Sequence, residues 1–253
     1  MRPVAIVQAR TGSTRLPGKV LADVAGRPLL LRVVERARRS RTLDEVVVAT
    51  TDAPADRAIV ELCAGAGVPC FTGSEDDLLD RYRCTALAVA ADPVVRITGD
   101  CPLLDAALVD RLLEVYTSGE FDYVAVAAGA SAARLVSGRF PTGFDAECIA
   151  FPALDRAWRE STGPTDREHV TPYLWRTGRF RVERLRSDRD LAGYRCSVDT
   201  PEDLALVRAV YAELGEDFAL EDVIALLEAR PELVSLNAEH VGREGHERIW
   251  RAA

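Results

Sequence analysis

Short apolar runs alternate with segments of helical periodicity along the first half of the chain. Residues 4–7 are all apolar, which is typical of a strand that is buried on both faces of a parallel sheet. The pattern predicts strands at 4–7, 45–50, 68–71, 94–97 and 123–127, and helices at 28–39, 55–64, 76–90 and 106–116. This alternation predicts an α/β fold, in which a mainly parallel sheet is sandwiched by helices.

The pattern is less regular after residue 127. Residues 128–143 are rich in small side chains and have no clear periodicity, which fits either a substrate-covering loop or a tolerated surface insertion. Beyond them the pattern predicts strands at 144–149 and 194–198, an extended segment at 180–185, and helices at 153–160, 166–175 (interrupted near Pro172), 201–214 and 220–229.

The loop that follows the first predicted strand is small, hydroxylic and cationic. It carries Arg10, Arg15 and Lys19 together with Gly12 and Gly18. Glycines let backbone N–H groups approach an anion closely, so three cations at the end of a first strand predict a polyphosphate site. A Walker loop does not fit, because five residues separate the glycines and valine follows the lysine. The alternative interpretation is a surface turn with solvated charges.

Two aspartates each follow a predicted strand. Asp100 comes after the strand at 94–97, and Asp199 comes after the strand at 194–198. Ligands bind at this edge of an open α/β sheet, and two carboxylates that meet there suit Mg²⁺. We therefore expect the two side chains to lie within reach of one ion. The alternative for Asp199 is a cap of the helix that starts near Pro201.

Composition and charge narrow the class of protein. The formal net charge is −8 with no basic tail, so nucleic acid is not an expected partner. No apolar run reaches membrane-spanning length, and no signal-peptide pattern is seen, so no membrane partner is expected. Six cysteines without a C-x-x-C pair predict reduced thiols in a cytoplasmic protein. Three histidines exclude a histidine-rich metal site.

Five stretches of the chain carry a family resemblance. Gln-Ala-Arg-Thr-Gly-Ser-Thr-Arg-Leu-Pro-Gly-Lys at 8–19 resembles the signature loop of the cytidylyltransferases that activate acidic sugars, the CMP-sugar synthetases. The version with Gln8 is most similar to their spore coat polysaccharide branch. Segments 96–103, 141–147, 166–172 and 197–204 resemble further family motifs, so the matches extend from residue 4 to residue 204.

The resemblance implies a GT-A-like, Rossmann-type nucleotidyltransferase domain at 1–215, with a small substrate or dimerisation lobe around 128–190 and a helical extension at 216–253. It implies a homodimer that uses CTP, Mg²⁺ and a small acidic sugar, whose hydroxyl attacks the α-phosphate and expels pyrophosphate. The implied catalytic residues are Arg15, Lys19 and Asp100, and the implied metal ligands are Asp100 and Asp199. The implied nucleotide-binding residues are Gln8, Ala9, Arg10, Thr11, Gly12, Ser13 and Thr98. The implied substrate-binding residues are Asp145, Glu147, Arg167 and His169.

Some features keep alternatives open. Gln8 stands where the sugar-acid activators commonly have proline, and Thr98 where many have glutamine, so the base preference and the acceptor are not fixed by the motifs. A nucleotidyltransferase that acts on a sugar phosphate or phosphonate would have a similar loop. A nucleotide-sugar glycosyltransferase usually has an Asp-x-Asp motif, which occurs here at 188–190. The arginines at 179, 181, 184, 186 and 189 are predicted surface charge, although one could meet a substrate carboxylate.

Overall fold

The computed structural model describes residues 1–129 and 138–242. Within these residues the main sheet has seven strands in the order β5-β4-β1-β6-β8-β7-β9. The strands are β1 (Val4–Gln8), β4 (Glu45–Thr51), β5 (Cys70–Gly73), β6 (Val94–Thr98), β7 (Tyr123–Val126), β8 (Glu147–Ile149) and β9 (Val182–Leu185), and a small hairpin pairs β2 (Asp23–Val24) with β3 (Arg27–Pro28). The helices are α1 (Leu29–Ala37), α2 (Arg57–Gly65), α3 (Leu78–Ala88), α4 (Ala106–Ser118), α5 (Phe151–Glu160), α6 (Pro164–His169), α7 (Pro172–Arg176), α8 (Pro201–Leu214), α9 (Leu220–Ala229) and α10 (Pro231–Ser235).

Helices cover both faces of the main sheet, as the sequence pattern predicted. Ala5 and Val7 of β1 pack in one core with residues of α1, α4, α8 and α9. Val4 and Ile6 point to the opposite face and pack with residues of α3, α5 and α7. Successive side chains of a strand alternate between the two faces, so a run of apolar residues is buried on both. The prediction of a mainly parallel, helix-covered sheet is confirmed.

One strand runs against the others in the middle of the sheet. β8 is antiparallel to both β6 and β7, whereas β1 pairs in parallel with β4 and β6. This strand is also shorter than the predicted strand at 144–149, because it starts only at Glu147. Gly143 has φ +97°, and a Cβ there would lie 2.4 Å from the Cys196 carbonyl carbon. This turn keeps the residues just before Glu147 out of the sheet.

The predicted strand at 194–198 is wrong. Only Arg195 forms a bridge, with Thr142, and the segment joins no sheet. Its alternating pattern has a different cause, because the Arg195 side chain is fully buried and bonds to carboxylates rather than facing solvent. Val198 donates its N–H to the Asp100 carbonyl at 2.8 Å. The segment is therefore held at the edge of the sheet by its own contacts, and Asp199 does not end a strand.

The segment beyond residue 215 contributes to the same core as the sheet. Val223, Ile224 and Leu227 of α9 are buried with residues of α8. The described part of the tail ends with α10 and a single 3₁₀ turn at Ala238–His240. The domain boundary near residue 215 stays a prediction.

The predicted covering loop or insertion at 128–143 lies in large part outside the described residues. None of the described helices is both long and apolar enough to cross a membrane.

Candidate active site

The cationic loop after β1 is closed by its own backbone. The Thr11 carbonyl accepts hydrogen bonds from the N–H groups of Ser13 (2.8 Å) and Gly18 (3.0 Å), and Gly18 adopts φ +70°. The N–H groups of Gly12, Thr14 and Arg15 make no hydrogen bond to any residue in the described ranges. These amides are therefore available to an anion, whereas the Ser13 amide, predicted to bind phosphate, is used to shape the loop.

Thr11 faces the protein rather than the ligand side of the loop. Its N–H and its hydroxyl both bond to Asp56 Oδ1 at 2.6 Å, and the Thr51 hydroxyl bonds to the other oxygen. Burial raises the pKa of Asp56, but the hydrogen bonds from Thr11 and Thr51 lower it by more, so this buried carboxylate stays ionised. Asp56 thus anchors the loop from beneath.

Lys19 joins the two aspartates predicted to meet. Its ammonium nitrogen lies 2.7 Å from Asp100 Oδ2 and 2.8 Å from Asp199 Oδ1, and it donates to the Val198 carbonyl at 2.8 Å. Both carboxylates are thus within one hydrogen bond of the same cation, and their predicted juxtaposition is confirmed. Burial raises the pKa of Asp100, but Lys19 lowers it by more, to about 2. The same two carboxylates keep the pKa of Lys19 above its usual value despite burial.

Asp199 is held from a second side by arginines. Its Oδ2 lies 2.7 Å from Arg195 Nη2 and 3.0 Å from Arg15 Nη2, and Arg195 also pairs with Asp203. Thr200 is the N-cap of α8, since its hydroxyl accepts the Asp203 N–H and Asp203 accepts the Thr200 N–H. The alternative that Asp199 is only a helix cap is therefore wrong.

Two clefts meet at these aspartates. The loop cleft, of about 570 Å³, is lined by the cationic loop with Lys19 and Arg81. The acceptor cleft, of about 290 Å³, is lined by residues of β6, β7, β8 and β9 together with Trp175. Asp100, Asp199 and Arg15 line both. A ligand in one cleft can therefore meet a ligand in the other at the paired carboxylates.

The predicted site residues divide between the clefts. The loop cleft is lined by Ala9, Arg10, Gly12, Ser13 and Arg167, whereas Thr98, Asp145 and Glu147 line the acceptor cleft, and Gln8 and His169 line both. Arg167, predicted to bind the acceptor, lies on the other side, where its guanidinium bonds to Asp77 and to the carbonyls of Trp158 and Ser161. Thr11 lines neither cleft, because its side chain is turned to Asp56.

The Glu147 carboxylate takes part in a buried network of an ion pair and hydrogen bonds. It forms an ion pair with Arg96 and accepts hydrogen bonds from the Tyr123 hydroxyl and from Thr171. Burial raises the pKa of Glu147, but Arg96 and these hydroxyls lower it by more. β8 is an interior strand of the sheet, so Glu147 does not face solvent from a sheet edge. Asp145 is not in the strand, and its Oδ2 accepts the Gly143 N–H at 2.8 Å.

A strained turn holds His169 at the cleft. The fully buried Val170 has φ +69° and ψ −54°, and the Thr171 N–H bonds to the His169 carbonyl at 2.8 Å. This three-residue turn is rare for a β-branched residue and costs about 1–3 kcal/mol. Both of its flanking residues, His169 and Thr171, line the acceptor cleft. The strain therefore sits where side-chain direction matters.

A family model described as cytidylyltransferase matches residues 4–221 of this chain. The chain belongs to the cytidylyltransferase family. The resemblance of its loop is thus confirmed, and this cytidylyltransferase is a CTP-dependent nucleotidyltransferase.

Relatives and solved structures agree with this assignment. The spore coat polysaccharide biosynthesis protein SpsF of Bacillus subtilis is 32% identical over 90% of this chain and 94% of its own length. A 3-deoxy-manno-octulosonate cytidylyltransferase of Anaeromyxobacter dehalogenans is 33% identical, over 84% of this chain and 99% of that protein. The structure of a cytidylyltransferase from Leptospira borgpetersenii matches with a TM-score of 0.84 at 29% identity, covering 92% of this chain and 97% of that one.

Several residues of the cytidylyltransferase site were not predicted from the sequence. Tyr82 and Arg81 lie on α3, and the Tyr82 hydroxyl bonds to Gln8 Oε1 at 3.1 Å. Their helical spacing beside Leu78 and Leu79 is that of core residues, so the sequence carries no signal for them. Gly99 carries a signal in the sequence, because a glycine directly after a strand often marks a close approach of two backbones. In the structure a Cβ at Gly99 would lie 2.6 Å from the Gln8 carbonyl oxygen.

Asp56→Asn is expected to raise the KM for CTP several-fold and to change kcat less, because the variant weakens the anchor of the loop. The free energy of unfolding should fall by about 1–3 kcal/mol. Because the pKa of Asp56 is lower in the folded protein, its carboxylate stabilises the folded state fully at a pH above the pKa of about 3.9 in the unfolded chain. This stabilisation is lost as the pH falls through the pKa of the folded state. The gap in melting temperature between wild type and variant should therefore close in acid.

The matched control is Asp52→Asn, which changes an exposed carboxylate on the same connection. It should leave both the KM for CTP and the melting temperature unchanged. An Asp56→Asn variant with wild-type KM and wild-type stability would show that the loop does not need its anchor.

Proposed function

We propose that this cytidylyltransferase transfers CMP from CTP to a hydroxyl of an acidic sugar, such as a nonulosonate or a 3-deoxy-2-keto sugar acid. The observation that carries the proposal is the meeting of the loop cleft and the acceptor cleft at Lys19, Asp100 and Asp199. The polysaccharide and sugar-acid names of the two relatives support this acceptor class. The product would serve surface polysaccharide or secondary-metabolite synthesis.

The residues of the chain supply binding and charge for an in-line displacement. The acceptor oxygen bonds to the α-phosphorus, the bond from that phosphorus to the bridging oxygen breaks, and pyrophosphate leaves with the electron pair. The acceptor's proton passes to solvent. The free amides of Gly12, Thr14 and Arg15 would bind the phosphates, and Arg15 and Lys19 would neutralise the charge that builds on the leaving group.

The two aspartates fit Mg²⁺ by the chemistry of their donors. Across the described ranges no group of three or more His, Cys, Asp or Glu side chains is arranged as a metal cage. Mg²⁺ commonly binds through one or two carboxylates, with waters and substrate phosphates completing its shell. Asp100 and Asp199, which already share one cation, would hold it. When bound, it would polarise the α-phosphate and lower the pKa of the attacking hydroxyl.

The glycosyltransferase alternative gains no support from the Asp-x-Asp motif. Asp190 pairs with Arg139 at 2.9 Å, and neither Asp188 nor Asp190 lines the loop cleft or the acceptor cleft.

The proposal also includes a GT-A-like arrangement, a lobe at 128–190, a homodimer and a cytoplasmic location. Light scattering on the purified protein measures the oligomeric state, and a monomer would contradict the proposed dimer.

Pyrophosphate release tests the proposed reaction. We expect release from CTP in preference to UTP, ATP and GTP, in the presence of 3-deoxy-manno-octulosonate or N-acetylneuraminate. Reactions without acceptor are the control. Glucose 1-phosphate and 2-aminoethylphosphonate represent the phosphate and phosphonate alternatives. Faster turnover with either of these, or competition by UTP or GTP that exceeds CTP, would reject the proposal.

A further inference from the structure

Four neighbouring strands place one row of residues along the floor of the acceptor cleft. Arg96 of β6 pairs in register with Glu147 of β8, Glu147 pairs with Ala125 of β7, and Ala125 pairs with Arg184 of β9. Cross-strand partners share a face of the sheet. All four residues line the acceptor cleft, so the row crosses beneath any ligand bound there.

The two arginines of this row are in different electrostatic states. Arg96 is neutralised by its ion pair with Glu147. The Arg184 guanidinium, which is half-buried, makes no hydrogen bond and no ion pair with any residue that the structure describes. Burial and Glu147 raise the pKa of the Tyr123 hydroxyl, and Arg184 opposes them, so the Arg184 charge is close to this part of the cleft. A cation without a partner in a cleft is available to an anionic ligand.

Ala125 leaves space between the charged members of the row. Its side chain is a single methyl group, and it separates Glu147 from Arg184. Neighbouring strands lie about 4.8 Å apart, so the backbones at Glu147 and Arg184 are about 10 Å apart. The volume above Ala125 is thus bounded by an acid on one side and, on the other, by a guanidinium that pairs with no described residue.

We propose that Arg184 binds the carboxylate of the acceptor sugar, with Ala125 as the floor of this subsite; this inference rests on the function proposed above. A guanidinium carries one charge and presents paired N–H donors that match the two oxygens of a carboxylate. A phosphate dianion would fit less well, because the Asp145 carboxylate lines the same cleft and would repel the extra charge, whereas Glu147 is already paired with Arg96. Asp145 instead suits a hydroxyl group of a sugar.

Replacing Arg184 tests the subsite. In Arg184→Gln we expect the KM for 3-deoxy-manno-octulosonate or N-acetylneuraminate to rise roughly 10- to 100-fold, the effect of losing hydrogen bonds to a charged group. The KM for CTP should not change. Arg184→Lys keeps the charge but not the paired donors and should fall between the two. The matched control is Arg186→Gln, which removes an exposed arginine just beyond the same strand and should behave as wild type.

A change in the substrate separates the outcomes. Wild type should use the C1 carboxamide of the same sugar 10- to 100-fold less well than the acid, and Arg184→Gln should use the two about equally. The Arg184 assignment is overturned, and the proposed function stands, if Arg184→Gln keeps the wild-type KM for the sugar acid or the preference for the acid over the carboxamide. It is also overturned if Arg186→Gln raises the KM for the sugar acid as much as Arg184→Gln does. If wild type neither binds nor turns over any sugar acid with CTP, both proposals are overturned together.

Discussion

Asp100→Asn is expected to lower kcat by about 10³ or more while the protein stays folded. The loss follows from removing one of the two carboxylates that hold charge at the reaction centre, where preorganised electrostatics supply much of the barrier reduction. The structure explains why the fold should survive. Lys19 keeps its bonds to Asp199 and to the Val198 carbonyl, so its buried ammonium still has a counter-charge.

Asp199→Asn should lose a similar factor in kcat and should also destabilise the protein. Its carboxylate accepts from Lys19, Arg15 and Arg195, so the buried Arg195 would lose one of its carboxylate partners. Breaking a buried ion pair by removing one partner costs up to about 3–5 kcal/mol. The expected pattern is thus equal damage to turnover but a lower melting temperature in Asp199→Asn alone.

The double variant checks whether the two carboxylates act as one unit. If both serve one cation, the double variant should turn over little more slowly than either single variant, because the function is already lost. The measurement is kcat from pyrophosphate release, with circular dichroism to establish folding. Two losses that multiply, or a folded single variant with near wild-type kcat, would contradict a shared site.

Lys19→Ala is expected to lower kcat/KM roughly 10²-fold or more, from lost stabilisation of the leaving group. Lys19→Arg should not restore it. Lys19 is the only lysine of the 253-residue chain, in which every other cationic side chain at neutral pH is an arginine. Its ammonium donates in three directions, to two carboxylates and one carbonyl, inside a buried space that a planar guanidinium would not match.

The Lys19 variants also give a readout that does not depend on turnover. In wild type the ammonium pairs with the two carboxylates that would hold Mg²⁺, so it would compete with the ion. In Lys19→Ala the two acids face each other without their cation, and Mg²⁺ alone should therefore raise the melting temperature more than in wild type. An equal shift in both proteins would show that the ion and the ammonium use different sites.

Arg15→Ala belongs to the same prediction and should lower kcat/KM by a similar factor, because Arg15 lines both clefts and reaches Asp199. The control for both cations is Arg57→Ala, which removes an exposed arginine whose partner is Glu61, one turn further along α2. Arg57→Ala should leave kcat/KM unchanged. Near wild-type turnover in Lys19→Ala or Arg15→Ala would show that the alternative interpretation of the loop, a surface turn with solvated charges, is correct.

The sequence by itself determined the layers of the fold and the position of the phosphate loop. Strands such as β1 and β4 are apolar on both faces, and the helices show one apolar stripe, so both are local patterns that burial imposes directly on the sequence. The loop at 8–19 could be found because the order of its residues is specific. Asp100 and Asp199 were paired correctly, although one of the two strands assumed in that argument does not exist.

Only the tertiary structure decided how the polar residues are used. Arg195 reads as an exposed position of a strand, yet it is buried because Asp199 and Asp203 neutralise its charge and accept hydrogen bonds from its Nε and Nη2 groups. Thr11 and Arg167 have residue types that suit a ligand, but they bond to Asp56 and to Asp77 instead. In the sequence, Arg184 cannot be told apart from the four other arginines of its segment. Strand register places it beside Ala125 in the acceptor cleft. Apolar burial leaves a periodic signature along the chain, whereas the partner of a charged side chain is set by long-range packing, which has no local signature.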